Sequence, residues 1–127
     1  MTNSLEITKK IYQALSLDDN IVRIVGQNIF PLIAESNTEY PFIVFKRMSI
    51  NPTYTKDWLT YEDVDVEIVC VSDKYFQAVE MATEVRDLFE GIKGSGILQS
   101  KLSYVNEDFI SDAYIQRLGF SFRMTVK

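Results

Sequence analysis

The sequence predicts an α+β fold, an antiparallel β-sheet of about four to five strands with helices packed on one face as a two-layer sandwich. Three features predict it. Apolar residues recur at helical spacing near the start, at Ile7, Ile11, Ala14 and Leu15, and again at Phe76, Val79, Ala82, Val85, Leu88 and Phe89. Between these segments Val64, Val66, Ile68 and Cys70 alternate with Asp63, Asp65, Glu67 and Val69, the period of a strand with one face in a core. The chain closes on a similar alternation, with Tyr114, Leu118, Phe120, Phe122, Met124 and Val126 on one face and Arg117, Ser121, Arg123 and Thr125 on the other. The predicted order is α, α, β, β, β, α, β, β.

Asn3 followed three residues later by Glu6 has the form of a capping box and opens a helix over residues 4–17. Asp18, Asp19 and Asn20 offer side-chain oxygens to the orphan N–H groups of a second, shorter helix carrying Ile21, Val22, Ile24 and Val25, which Gly26 ends. Ile29, Phe30, Pro31 and Leu32 form a short extended piece suited to a sheet edge, because proline lacks an N–H. Residues 34–39 read as a loop. Phe42, Ile43, Val44 and Phe45 are β-branched or aromatic and begin the first long strand, which runs to Ile50, where Asn51-Pro52 punctuates. Residues 51–58 then read as a long hairpin connection.

After the alternating second strand, Ser72 or Asp73 caps the third helix, and Gly91 stops it. The rest of Gly91-Ile92-Lys93-Gly94-Ser95-Gly96 reads as a loose linker. A strand over residues 97–106 follows, with the turn into the closing strand at residues 107–112.

A length of 127 residues suits a single domain, residues 1–127, able to hold a core without metal or disulfide staples. With 46% hydrophobic and 24% charged residues the composition is that of a globular protein, and no apolar run is long enough to span a bilayer. Met1-Thr2-Asn3-Ser4 does not open a secretory signal, so synthesis in a cytoplasm is expected. One cysteine and no histidine exclude an internal disulfide, a Cys/His metal cluster and the Ser-His and Cys-His nucleophile arrangements. A net charge of -5 argues against nucleic-acid binding, which calls for a basic footprint. No enzyme activity, cofactor or metal is expected.

Four features invite a chemical reading. Asp63, Asp65 and Glu67 project from one strand face beside Glu62, and carboxylates in a row suit a hard cation. A flat strand does not wrap an ion as a loop does, and Arg117, Arg123, Lys46 or Arg47 can offset the row across the sheet. An acidic surface is the better reading. The glycine-rich loop has the look of a phosphate cradle, but it follows a helix instead of preceding one, and a helix C-terminus repels anions. Cys70 alternates in register with core residues, where a thiol is inert. Tyr54, Trp58 and Tyr61 bring aromatic bulk to a polar hairpin and are candidate interface anchors; Trp58 folded back over the sheet edge is the other reading.

Ile29-Phe30-Pro31, then Tyr40-Pro41-Phe42-Ile43-Val44-Phe45, then Val64-Asp65-Val66-Glu67-Ile68-Val69-Cys70, then residues 75–89 with Ala78, Ala82, Val85 and Arg86, and the closing strand from Leu118 resemble, in that order, the tail-completion proteins of long-tailed phages and prophages. These are also called tail-terminator or head-tail joining proteins. The resemblance implies a non-enzymatic virion protein made in the bacterial host, which forms a ring with itself, sixfold when assembled, at the head-proximal end of the tail. It implies tail-tube and head-tail connector proteins as further partners. In such a ring the residue 51–61 hairpin, with Tyr54 and Trp58, is the expected reach to a neighbour. The competing reading is a small acidic bacterial adaptor or immunity-like protein that binds a basic protein partner through Asp63, Asp65 and Glu67.

Overall fold

The computed structural model describes residues 4–56, 59–94 and 96–125. A short 3-10 turn, Ser4–Glu6, leads into helix α1 (Ile7–Leu17), where Ile7, Ile11 and Leu15 recur every four residues and form one buried stripe. Asn3 of the expected capping box lies outside the described residues. Helix α2 (Asp19–Val25) starts where Asp18 Oδ1 accepts the Ile21 N–H at 3.1 Å, and it stops at Gly26, whose φ of 61° a side chain would resist.

Strands β1 (Ile29–Pro31), β2 (Phe42–Tyr54) and β3 (Leu59–Ser72) precede helix α3 (Tyr75–Phe89), and strands β4 (Ile97–Ile110) and β5 (Ala113–Thr125) close the chain. The element order is the predicted one. Across the sheet the strands run β1-β2-β3-β5-β4. Every pairing is antiparallel except β1 with β2, so the α+β sheet is mixed. The cause is local: residues 32–41 carry the chain back to the level of Ile29 before β2 begins, and Ile43 then lies beside Ile29 in the same direction.

Inward-facing residues meet in register. Phe45 pairs with Ile68 and Ile68 with Leu118, while Val66 pairs with Phe120 and Val64 with Phe122. These side chains are buried against Ile7, Ile11, Leu15, Ile21, Met81, Val85 and Phe89 from the three helices, which therefore share one side of the sheet. Phe89 sits edge-on to Phe120 and Phe122, with ring centroids 5.8 and 6.2 Å away. Such pairs contribute about 0.5–1.5 kcal/mol beyond the area they bury.

Several expected boundaries move. Strand β2 continues past Ile50 to Tyr54, so the first half of the supposed long connection over residues 51–58 is ladder, with Asn51 opposite Asp63 and Thr53 opposite Tyr61, while residues 57 and 58 lie outside the described ones. Pro52 is tolerated because β1 covers only Ile43 to Phe45, leaving the far edge of β2 unpaired. Strand β4 likewise runs to Ile110 instead of stopping near Asn106, and the turn is only Ser111-Asp112, both left-handed at φ 53° and 63°. No glycine marks that turn.

In α3 the buried stripe is Ala78, Met81, Ala82, Val85 and Phe89, whereas Phe76, expected inside, is 80% exposed. It stands two residues from Ala78, about 200° around the helix. The end of α3 is tied down: Ser100 Oγ donates to the Phe89 carbonyl at 2.5 Å and the Gly91 N–H donates to the Ser100 carbonyl. The glycine loop beyond is no loose linker. Gly94 and Ile97 exchange backbone hydrogen bonds, and the Thr125 N–H donates to the Gly96 carbonyl at 2.9 Å.

Candidate interaction surfaces

The alternation of β3 sends Val64, Val66 and Ile68 into the core and Asp63, Asp65 and Glu67 to the face that no helix covers. Each carboxylate has a partner there. Asp63 holds Arg123 of β5 through two hydrogen bonds, 2.9 and 3.1 Å, and the same guanidinium lies 3.9 Å above the centre of the Tyr61 ring. The Asp63 hydrogen bond raises the Arg123 pKa above its ordinary value. Asp65 Oδ2 accepts from Ser49 Oγ at 3.0 Å and from Asn51 Nδ2 at 3.1 Å, both on β2.

Glu67 accepts from the Tyr104 hydroxyl of β4 at 2.6 Å. Partial burial, followed by that hydrogen bond and the nearby Glu67 charge, pushes the Tyr104 pKa up to about 12. Arg117 reaches Asp108 at 2.7 Å on the same sheet. Among the described residues no group of three or more His, Cys, Asp or Glu side chains is placed to hold a metal ion. Cys70 is fully buried, and burial drives its thiol pKa upward, away from the reactive thiolate.

The aromatic hairpin residues fall in three situations. Tyr54 ends β2 with 69% of its surface exposed. Tyr61 is half-buried beneath Arg123. Trp58 lies outside the described residues.

A second apolar surface escapes the sequence reading. At the far end of the β4–β5 hairpin, Tyr114 packs against Phe109 and Tyr75, with centroids 4.8 and 5.6 Å apart, and Tyr75 packs against Phe76. Glu107 binds this cluster from β4, accepting from the Tyr75 hydroxyl at 3.0 Å and from Gln116 Nε2 at 2.7 Å. Its carboxylate raises the pKa of the Tyr75 hydroxyl. Val105, Phe109, Ile110 and Phe76 remain exposed around it. Reading residues 107–112 as a turn and Phe76 as core hid it; the aromatic residues at 75, 76, 109 and 114 were the available signal.

At the opposite edge of the sheet an open groove of about 530 Å³ lies between α1 and β1, lined chiefly by Lys9, Tyr12, Phe30, Pro31, Glu35 and Phe45. Leu32 and Ile33 stand exposed just beyond β1, Leu32 in a left-handed conformation at φ 68°.

Residues 9–113, from α1 to the start of β5, match the family described as tail completion protein gp17. The chain belongs to that family. A tail completion protein of this kind is a structural protein of phage tails, and the α+β architecture and element order described above are those the sequence patterning predicts. The fold is similar to that of a chain in the virion of a native gene transfer agent (GTA) particle, with a TM-score of 0.79 at 16% identity, covering 91% of this chain and 92% of that one. No curated protein matches the chain.

Proposed function

We propose that this tail completion protein is a non-enzymatic ring component that caps the head-proximal end of a phage or prophage tail and so allows the completed tail to join the head. The family match across residues 9–113 carries the reading. The ring is built from copies of this chain, six in the expected assembly, and contacts tail-tube protein on one side and head-tail connector protein on the other. The chain, residues 1–127, acts as one unit.

Physical features support such a role. A ring needs two different patches on each subunit, and the molecule presents exposed apolar groups at several separate places: the β2–β3 hairpin, the β4–β5 hairpin and the β1 edge. Tyr54, Trp58 and Tyr61 are proposed as one anchor set. A ring that DNA traverses must also avoid gripping phosphates, and the uncovered face with Asp63, Asp65 and Glu67 suits the lumen because its carboxylates engage Arg123 and Arg117 or accept neutral donors.

The test is deletion of this gene alone in a particle-producing host, followed by electron microscopy of released particles and complementation. Filled heads beside unattached or overlong tails, cured by the complementing copy, are expected. Normal joined particles from the deleted strain would overturn the assignment.

A further inference from the structure

Exposed apolar surface on the β4 side and an apolar groove on the β1 side lie at opposite edges of one sheet, and the pairing register shows that they are level. From Val105 the register runs through Leu118, Ile68 and Phe45 to Pro31, and from Glu107 through Gln116, Cys70 and Ile43 to Ile29. Val105 and Glu107 therefore stand at the same height along the strands as the groove wall. They also share its side of the sheet, because Leu118, Ile68 and Phe45 all point toward the helix layer. Helix α3 packs chiefly over β3 and β5 and reaches β4 through Tyr75, so the outer half of β4 is only partly covered on that side: Val105 is 45% and Phe109 57% exposed.

The strand directions are compatible as well. Counting outward from β3, strands β2 and β5 run one way and β3 and β4 the other, and β1 runs with β2. A second copy placed in the same orientation beside β4 brings its β1 edge up antiparallel to β4, continuing the alternation across the junction. Among the described residues no strand lies beside the outer edge of β4 from Lys101 to Ile110, a row of backbone groups open to such a neighbour. Charges agree where the structure places them: Glu107 is bound to the Tyr75 hydroxyl within this cluster, and Lys9 lines the groove.

We propose that the knob formed by Phe76 and Phe109 of one copy seats in the α1–β1 groove of the next copy. Copies then join head to tail through two different patches, the arrangement that closes into a ring when the rotation between neighbours permits. The proposal deepens the ring reading above and rests on it for closure and copy number. It assigns the subunit contact to the sheet edges, so that the hairpin with Tyr54 and Trp58 is left for another contact. Leu32, held left-handed at the groove mouth, is a strained residue of the sort found where a surface is shaped for a partner.

The test is disulfide trapping with Lys9→Cys and Val105→Cys in one chain, both at exposed positions outside the knob, while Cys70 stays buried. Oxidised particles, and oxidised concentrated purified protein, are run without reductant. The expected result is a ladder at multiples of 14.7 kDa that reductant collapses and that neither single variant forms. In parallel, Phe76→Ser with Phe109→Ser should lower the yield of joined particles about tenfold or more while the purified protein still unfolds cooperatively. No ladder in either preparation, or an adduct to a different protein, overturns the contact. A ladder from purified protein together with normal particles from the gene-deleted host keeps the contact and overturns the ring-at-the-tail reading instead.

Discussion

The ring of Tyr104 fills the space in which residue 119 would carry a side chain: a Cβ on Gly119 would fall 2.1 Å from Cε2 and 2.4 Å from Cζ of that ring. Glycine in the middle of a strand ordinarily weakens it, and here an aromatic from the neighbouring strand covers the bare backbone. The contact places the Tyr104 hydroxyl on Glu67 two strands away, joining β4, β5 and β3 across the uncovered face. Gly119→Ala should therefore destabilise by about 1–2 kcal/mol through displacement of the ring. In a Tyr104→Ala background the same change should be neutral or stabilising. Urea unfolding of the four proteins of the cycle measures the coupling, and additive effects would contradict it.

The same tyrosine gives a pH prediction. Its pKa is raised to about 12 in the fold against an ordinary 10, so the neutral form is favoured and its stabilising contribution is complete below pH 10. As pH rises from 10 through about 12 that contribution is lost. Wild type should lose stability across this window more steeply than Tyr104→Phe, and tyrosinate absorbance should show one late-ionising group that the variant lacks. Equal slopes in the two proteins would contradict it.

Much of this architecture is legible in the sequence where a period or a capping residue announces it. Ile7, Ile11 and Leu15, Asp18 at the start of α2, Gly26 at its end and the alternation from Asp63 to Cys70 all appear in the structure in the roles their spacing implies. The failures have physical causes. Pro52 reads as a strand terminator only if the strand is paired on both sides, and beyond Phe45 strand β2 is paired on one. Ser111-Asp112 adopts a two-residue turn without the glycine that usually marks one. Phe76 follows the helical apolar rhythm, yet the sheet lies under Ala78 and not under it. The consequence was largest for the surface: Phe109 and Ile110, read as part of a turn, belong to a strand edge that a sequence pattern cannot tell from a loop.

Asp63 and Arg123 make a two-point ion pair over Tyr61, with side-chain exposures of 29% and 37%. Solvent screening keeps such a pair modest, and Arg123→Ala should lower stability only slightly. Arg123→Lys should recover only part of that, since an ammonium cannot make the paired hydrogen bonds or lie on the ring as a guanidinium does. Full recovery by lysine in thermal unfolding would count against the geometry.

The helix layer is anchored by Phe89, which is 2% exposed and packed against Phe120 and Phe122. Phe89→Ala should destabilise by about 3–5 kcal/mol, the range for emptying a buried aromatic site. Asp18→Ala, which removes only the α2 cap, should cost about 1 kcal/mol. Chemical denaturation that ranked the two in the opposite order would show that α3, and not α2, is the dispensable part of the helix layer.

In the proposed assembly, copies of this chain form a ring at the head-proximal end of the tail. Cryo-electron microscopy of the head-tail junction, with this fold fitted to the density, tests it most directly. The expected density is a closed ring of this chain capping the tube, with the β4 edge of each copy against the α1–β1 groove of its neighbour. Density for the chain along the tube or at the distal tip, or a junction from which it is absent, would contradict it.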